Sequence, residues 1–234
     1  MSTFVTRRAA FGIAATAALA SLTACASDIR PLRDPSTPKE QRSYKGELKF
    51  NSYESRGTYV PATSSKKAEN PPKPIPPAKM RAKTTEGMYA AIGFWVASFN
   101  YLILSGDIEP FMAVDINRND IYKAEAFSKL YKSNTGWMYG ADAPVSANLT
   151  EDAPEQVNEH QYRWRATSRY HKKTTIHYTD GRELPMTSLD GNTGDYDFFF
   201  ALKYQDGAWT VWNERVKLAP ISPTSSASSS GASV

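Results

Sequence analysis

The chain is poor in the residues that most often carry catalysis or crosslinks: one cysteine and three histidines in 234 residues. A lone thiol closes no internal disulfide and builds no cysteine-based zinc or redox centre. The histidines, His160, His171 and His177, have no partner close in sequence. No HExxH run, glycine-rich phosphate loop, nucleophile elbow or calcium loop occurs. Neither a metal nor a cofactor is therefore expected. Long apolar runs are scarce as well. Phe11 to Leu22 is about a dozen residues, short of the ~20 that span a hydrocarbon core, and no later run is expected to cross a membrane.

What is present begins at the cysteine. Arg7 and Arg8 precede the apolar run, and Leu22-Thr23-Ala24-Cys25 closes it. Positive residues, then an apolar stretch, then small residues is the order of an export signal. The ending resembles the lipobox of bacterial lipoproteins, in which a peptidase cuts before the cysteine and the thiol takes diacylglycerol. Thr23 and Ala24 suit a narrow protease site, and a thiolate is the nucleophile that thioether formation needs. Residues 1–24 are expected to be a lipoprotein signal peptide, and Cys25 the lipidated start of the mature chain. The alternative is an ordinary secretory signal with an incidental cysteine. Thr6-Arg7-Arg8-Ala9-Ala10-Phe11 also looks like a loose twin-arginine signal, although any export signal needs positive residues. The expected location is the extracytoplasmic face of the cell membrane.

Charge and proline divide the rest. Residues 26–83 hold 13 Lys/Arg against 6 Asp/Glu and 9 of the 15 prolines, densest at Pro71-Pro72-Lys73-Pro74-Ile75-Pro76-Pro77. Proline blocks ladder and helix hydrogen bonds, so 25–83 reads as a lipid-anchored, disordered stalk. Tyr44, Phe50, Tyr53 and Tyr59 leave open a second reading, in which part of the stalk is pinned to the domain. A basic stalk beside a lipid anchor would be drawn to anionic lipid or an anionic wall polymer. Nucleic acid is not expected outside the cytoplasm. Residues 84–218 hold 13 Lys/Arg against 18 Asp/Glu and all five tryptophans; they are the expected folded domain. Residues 219–234 read as a disordered Ser/Ala-rich tail.

Within the domain, Thr84-Thr85-Glu86-Gly87 opens a helix apolar around most of its circumference, from Met88 to Leu104. It should stop at Ser105-Gly106-Asp107. Pro110 suits the first turn of a second, short helix. A third starts at Asn117-Arg118-Asn119-Asp120 and ends by Gly136. The pattern then alternates with period two. Tyr162, Trp164, Ala166 and Ser168 share one face, and Arg163, Arg165, Arg169 and His171 the other. By the same alternation His177 falls with the outward basic residues. The strands Tyr196–Tyr204 and Trp209–Leu218 are joined by Asp206-Gly207, a strong hairpin turn. The expected class is α+β: three N-terminal helices packed in a strongly curved antiparallel sheet.

Thr85-Glu86-Gly87, Phe99-Asn100-Tyr101, Ser105-Gly106-Asp107, Trp137 and Asp206-Gly207-Ala208-Trp209-Thr210-Val211 occur in this order behind the lipobox. Over residues 79–218 this resembles an actinobacterial lipoprotein family of unknown function, itself similar to the cone-shaped nuclear-transport-factor-2-like (NTF2-like) fold. Many of those relatives have two cysteines between the second and third helices; here the stretch Val114–Asp120 has none. The resemblance implies a fold and a location but no activity.

A cone of this kind can hold a pocket, with Tyr89, Trp95, Phe99, Asp107, Tyr162, Trp164 and Trp212 as candidate lining. The same aromatics can equally be plain core. Asp107, or Asp195 and Asp197 beside Tyr196, can be catalytic carboxylates or merely a cap and solubilising charges. Arg163, Arg165, Arg169 and Lys173 form a candidate anion-binding face. The expected function is a non-enzymatic binding or interaction module on the envelope, meeting an envelope protein or a second copy. The alternatives are a small-ligand carrier and a cone-fold lyase or isomerase. An open pocket or a filled interior discriminates between them.

Overall fold

A computed structural model describes residues 42–54, 56–189 and 195–215. The expected signal peptide, Cys25, the first part of the expected stalk, the expected end of the last strand to Leu218 and the expected C-terminal tail lie outside these residues.

The chain opens with three two-residue strands, β1 (Gly46–Glu47), β2 (Tyr53–Glu54) and β3 (Lys73–Pro74), then a 3-10 turn at Ala78–Arg81. Next come the helices α1 (Thr85–Ser105), α2 (Glu109–Met112) and α3 (Arg118–Lys132). Eight strands follow: β4 (Gly136–Tyr139), β5 (Val145–Leu149), β6 (Glu155–Gln156), β7 (Gln161–Tyr170), β8 (Thr175–Tyr178), β9 (Glu183–Pro185), β10 (Tyr196–Gln205) and β11 (Ala208–Arg215). The main sheet runs β1-β5-β7-β10-β11, with β6 added to β7. β4-β8-β9 form a second sheet and β2-β3 a third; all the pairings are antiparallel.

The local signals act where the sequence puts them. The Thr84 side chain accepts the Gly87 N–H and caps α1, and Gly106 ends it at φ 76°. A Cβ at Gly106 would also sit 2.3 Å from the Tyr131 ring, so nothing larger fits. The Asn117 side chain accepts the Asn119 N–H at the start of α3. Asp206 and Gly207, at φ 53° and 77°, form the tight turn joining β10 to β11, the mirror-image geometry that matches strand twist.

The expected cone is not the fold. Among the described residues α and β are mixed but mostly β, with eleven strands in three sheets and three helices, one of them a single turn. Three described strands precede the helices, so the helices do not form an N-terminal layer ahead of the strands. The physical reason lies in α1. Its all-round apolar surface was expected to be enclosed by one curling sheet, whereas its covers come from separate parts of the chain. Five of the six strands of the main sheet come after it, and α3 and β4 also pack on it. By length and composition α1 could cross a membrane, contrary to the expectation of no second apolar run. Yet 83% of that stretch is buried inside the protein.

The remaining cover is the proline-rich segment itself. From residue 42 it is a strap packed on the domain, not a stalk. β1 pairs with β5, and Leu48 N–H donates to the Ala147 carbonyl at 2.9 Å. Tyr44 packs 5.0 Å from the Tyr89 ring and 5.7 Å from Trp164, and Phe50 lies 6.1 Å from Phe94. Gly93 lets it approach, since a Cβ there would already touch the Phe50 ring at 3.4 Å. Further along, Trp137 Nε1 donates to the Thr63 carbonyl at 2.8 Å and Lys73 pairs with Asp107 at 3.2 Å. Proline is kept out of central strands and helix interiors, but it does not exclude an edge strand such as β3, where Pro74 stands opposite Tyr53, or an extended strap.

Candidate functional site

Among the described residues, aromatic rings fill the space between the main sheet and α1. Tyr162, Trp164, Phe198, Phe200 and Trp209 are each at most 2% exposed. Trp95 contacts Phe99 at 5.9 Å, Phe111 at 5.3 Å and Phe200 at 5.6 Å. Of the residues expected to line a pocket, Trp95, Phe99, Tyr162 and Trp164 are therefore core. Tyr89 lies under the strap, its hydroxyl accepting the Lys49 N–H at 3.2 Å. Asp107 stands apart, paired with Lys73 and accepting the Glu109 N–H at 3.0 Å as α2 begins. Trp212 is on the other side of the sheet, because β11 alternates and buries Trp209 and Val211.

One buried carboxylate escaped the sequence reading. Asp115, in the α2–α3 turn, is 1% exposed. Its Oδ2 accepts Trp95 Nε1–H at 2.6 Å and its Oδ1 accepts the Asn117 N–H at 2.7 Å. Burial lifts its pKa to about 7; the two donors pull down and the Asp120 charge pushes up. Asp120 is also raised, mainly by burial, and accepts Asn213 Nδ2–H at 3.1 Å. The Val114 carbonyl accepts the Val211 N–H at 2.9 Å. This turn thus meets the edge strand β11 through Val114 and Asp120, while Asp115 ties the turn to α1 through Trp95. A polar residue beside Val114 in an otherwise apolar turn was the signal available in the sequence.

A pH dependence follows. Between pH about 4 and 7 the folded chain holds the Asp115 proton and the unfolded chain does not, so stability should fall as pH rises. Above that window the full penalty, on the order of 2–4 kcal/mol, is present. Asp115→Asn should flatten the dependence in urea unfolding followed from pH 4 to 8. An unchanged slope would place the titration elsewhere.

The histidines separate. His160 and His171 are exposed, as expected of surface residues. His177 is not on the outward basic face: it lies on β8 in the second sheet, its ring 4.4 Å from Trp137 and its Nδ1 3.5 Å from Glu183. The alternation that misplaced it broke between β7 and β8, where the chain changes sheets.

The outer face of the main sheet bears the arginine row. Arg163, Arg165 and Arg169 share it, as the period of two implies, but each has an acidic partner. Arg163 is held by both Glu155 oxygens, at 2.7 and 3.0 Å, and lies 4.9 Å from the Phe199 ring centre. Arg169 is held by both Asp195 oxygens, at 2.5 and 2.7 Å. Arg165 reaches Asp197 only at 3.8 Å. The expected anion-binding face is thus a lattice of both signs; Lys173 is exposed beyond the end of β7. Asp195 and Asp197 are exposed and pair with Arg169 and Arg165.

Across the sheet, Ala201 stands opposite both Arg163 and Trp212, and Phe199 opposite both Arg165 and Glu214. Beside them opens a groove of about 430 Å³ lined by Glu151, Pro154, Gln156, Arg165 and Phe199, among others. A smaller groove of about 250 Å³, lined by Arg56, Lys67, Tyr101 and Tyr131, lies between strap and helices. Among the described residues no group of three or more His, Cys, Asp or Glu could hold a metal ion.

The chain matches the model of a family of unknown function, DUF6318, over residues 57–215. It belongs to that family. The match starts at residue 57 and so takes in the later part of the strap. No curated protein and no solved structure matches the chain.

Proposed function

We propose that this member of an uncharacterised family is a lipid-anchored binding module of the cell envelope. The anchor is Cys25, behind the Leu22-Thr23-Ala24 signal, with the domain on the extracytoplasmic face of the membrane. The observation that supports a binding module over a carrier or a lyase is the filled interior. Both alternatives needed a cavity between sheet and helix, and aromatic side chains occupy that space. Surfaces open to contact among the described residues include the outer face of the main sheet with its groove, and the exposed Met112, Ile116 and Tyr122 around α2 and α3. The partner is a component of the envelope, either a wall polymer or a protein.

Two measurements test this. Intact mass of membrane-extracted protein should show an N-terminal Cys25 carrying diacylglycerol, and Cys25→Ser should release the protein from the membrane fraction. Equal retention and equal mass for the two would remove the anchor. Crosslinking in intact cells from positions around the groove, such as Gln156, should capture a partner that positions on the strap do not.

A further inference from the structure

We propose that the smaller groove, between strap and helices, binds a phosphate group, which clamps the strap to α1. This goes beyond the reading of the protein as an envelope binding module: it is a second site with a ligand of its own, and it does not depend on the anchor.

Charge carries the assignment. Two cations, Arg56 and Lys67, line the groove, and no Asp or Glu among the described residues does. Glu54 stands 3.1 Å from Arg56 and Asp107 3.2 Å from Lys73, but neither acid forms part of the wall. Lys67 is the group left over. It is half-buried; its ammonium donates to Asn134 Oδ1 at 2.7 Å and lies 5.9 Å from the Tyr131 ring centre. Both partners are neutral, so no carboxylate among the described residues balances this charge. Partial burial of an ammonium without a counter-charge is unfavourable, and an anion in the groove would offset it.

The helix supplies a further donor. Tyr101 is 4% exposed, and its hydroxyl accepts Arg56 Nη1–H at 3.1 Å. Burial raises its pKa, so at neutral pH the phenol keeps its proton, which has no acceptor among the described residues. Glu54 faces Arg56 Nε, which leaves Nη2 without a partner among the described residues. Guanidinium and ammonium groups only donate. A cation is repelled here, and a neutral ligand leaves Lys67 unbalanced. The uncommitted N–H and O–H donors of the three side chains exceed the about four acceptor sites of a carboxylate, and a phosphate uses more of them. The groove, about 250 Å³, is smaller than the ~300–1,000 Å³ of drug-sized sites, which suits a phosphate or a small phosphate ester. Arg56 and Lys67 belong to the strap and Tyr101 to α1, so one bound anion ties the two together and stabilises the strap by mass action.

The test uses the full mature chain with Cys25→Ser, titrated at constant ionic strength with inorganic phosphate, glycerol 3-phosphate and acetate. Calorimetry should give a Kd in the millimolar range or tighter for the two phosphates and weaker binding of acetate. Hydrogen exchange should show the amides of residues 56–70 better protected with phosphate than without. Lys67→Gln and Arg56→Gln should each weaken binding by about tenfold, the value of a lost hydrogen bond to a charged group. Tyr101→Phe, which keeps the ring, should weaken it severalfold, and Lys172→Gln, outside the groove, should not. Phosphate strengthens any fold somewhat by exclusion from its surface, so the deciding quantity is the difference between wild type and Lys67→Gln. That variant keeps an amide to meet Asn134 and should retain wild-type circular dichroism. Sedimentation with phosphatidylglycerol vesicles, but not phosphatidylcholine vesicles, and its loss in Lys67→Gln, would identify the phosphate as a lipid headgroup; no sedimentation beside a positive titration would identify a free phosphate. No phosphate binding by the folded chain, tighter binding of acetate, or affinity indifferent to Lys67 and Arg56 would overturn the proposal. Loss of the lipid anchor leaves this titration unchanged, whereas failure of the titration leaves the envelope reading standing.

Discussion

A chain that starts at residue 79 should lose the cooperative unfolding transition of the full domain. Proline density alone argues the reverse, that everything before the first helix is a removable tether. The packing decides otherwise. Tyr44, Leu48 and Phe50 join the core from the strap, and the strap's backbone completes the β5 edge. Aromatic residues bury ~150–250 Å² each, worth ~25 cal/mol per Å², so the lost contacts amount to several kcal/mol. That is a large share of the ~5–15 kcal/mol that holds a domain folded. The uncovered flank of α1 would meet water, and a helix apolar on every side tolerates this badly. Urea unfolding followed by circular dichroism should show a broad or absent transition for the chain starting at 79. A chain starting at residue 42 should match the full one. A sharp transition at an unchanged midpoint for the shorter chain would make the strap a passenger.

Replacing Trp209 by alanine should cost about 3–5 kcal/mol, the usual range for a buried aromatic. The ring is 1% exposed, 5.5 Å from Tyr162 and 4.8 Å from Tyr204. Its Nε1–H donates to the Ala82 carbonyl at 2.8 Å, and the Tyr204 hydroxyl donates to the Arg81 carbonyl at 2.8 Å. Trp209 therefore fastens the end of the strap to the last hairpin as well as filling the core. Trp209→Phe separates the two roles: it keeps most of the ring contact and loses the hydrogen bond, at about 1–2 kcal/mol. Losses below about 1 kcal/mol for both variants would show that the strap is not fastened here.

Much of the fold could be read residue by residue. Thr84, Gly106, Asn117 and Asp206-Gly207 mark ends and turns because their side chains, or the lack of one, act on the backbone within a few positions. The two faces of β7 follow from strand pleating alone. The same rule placed Arg163, Arg165 and Arg169 on the outer face, yet it could not show Glu155, Asp195 and Asp197 brought to them by other strands. Asp115 left only its place in an apolar turn as a signal, for the same reason: its partner Trp95 is twenty residues away, on α1.

Local chemistry in the sequence thus determined the helices, the period-two strands and the closing hairpin, since each depends on neighbours in the chain. The tertiary structure decided what covers α1, whether the aromatics enclose a pocket, and which charges stay unpaired. Those are questions of which distant segments meet. An all-round apolar helix demands cover without naming its source, and here a proline-rich strap supplied part of it where a curled sheet was expected.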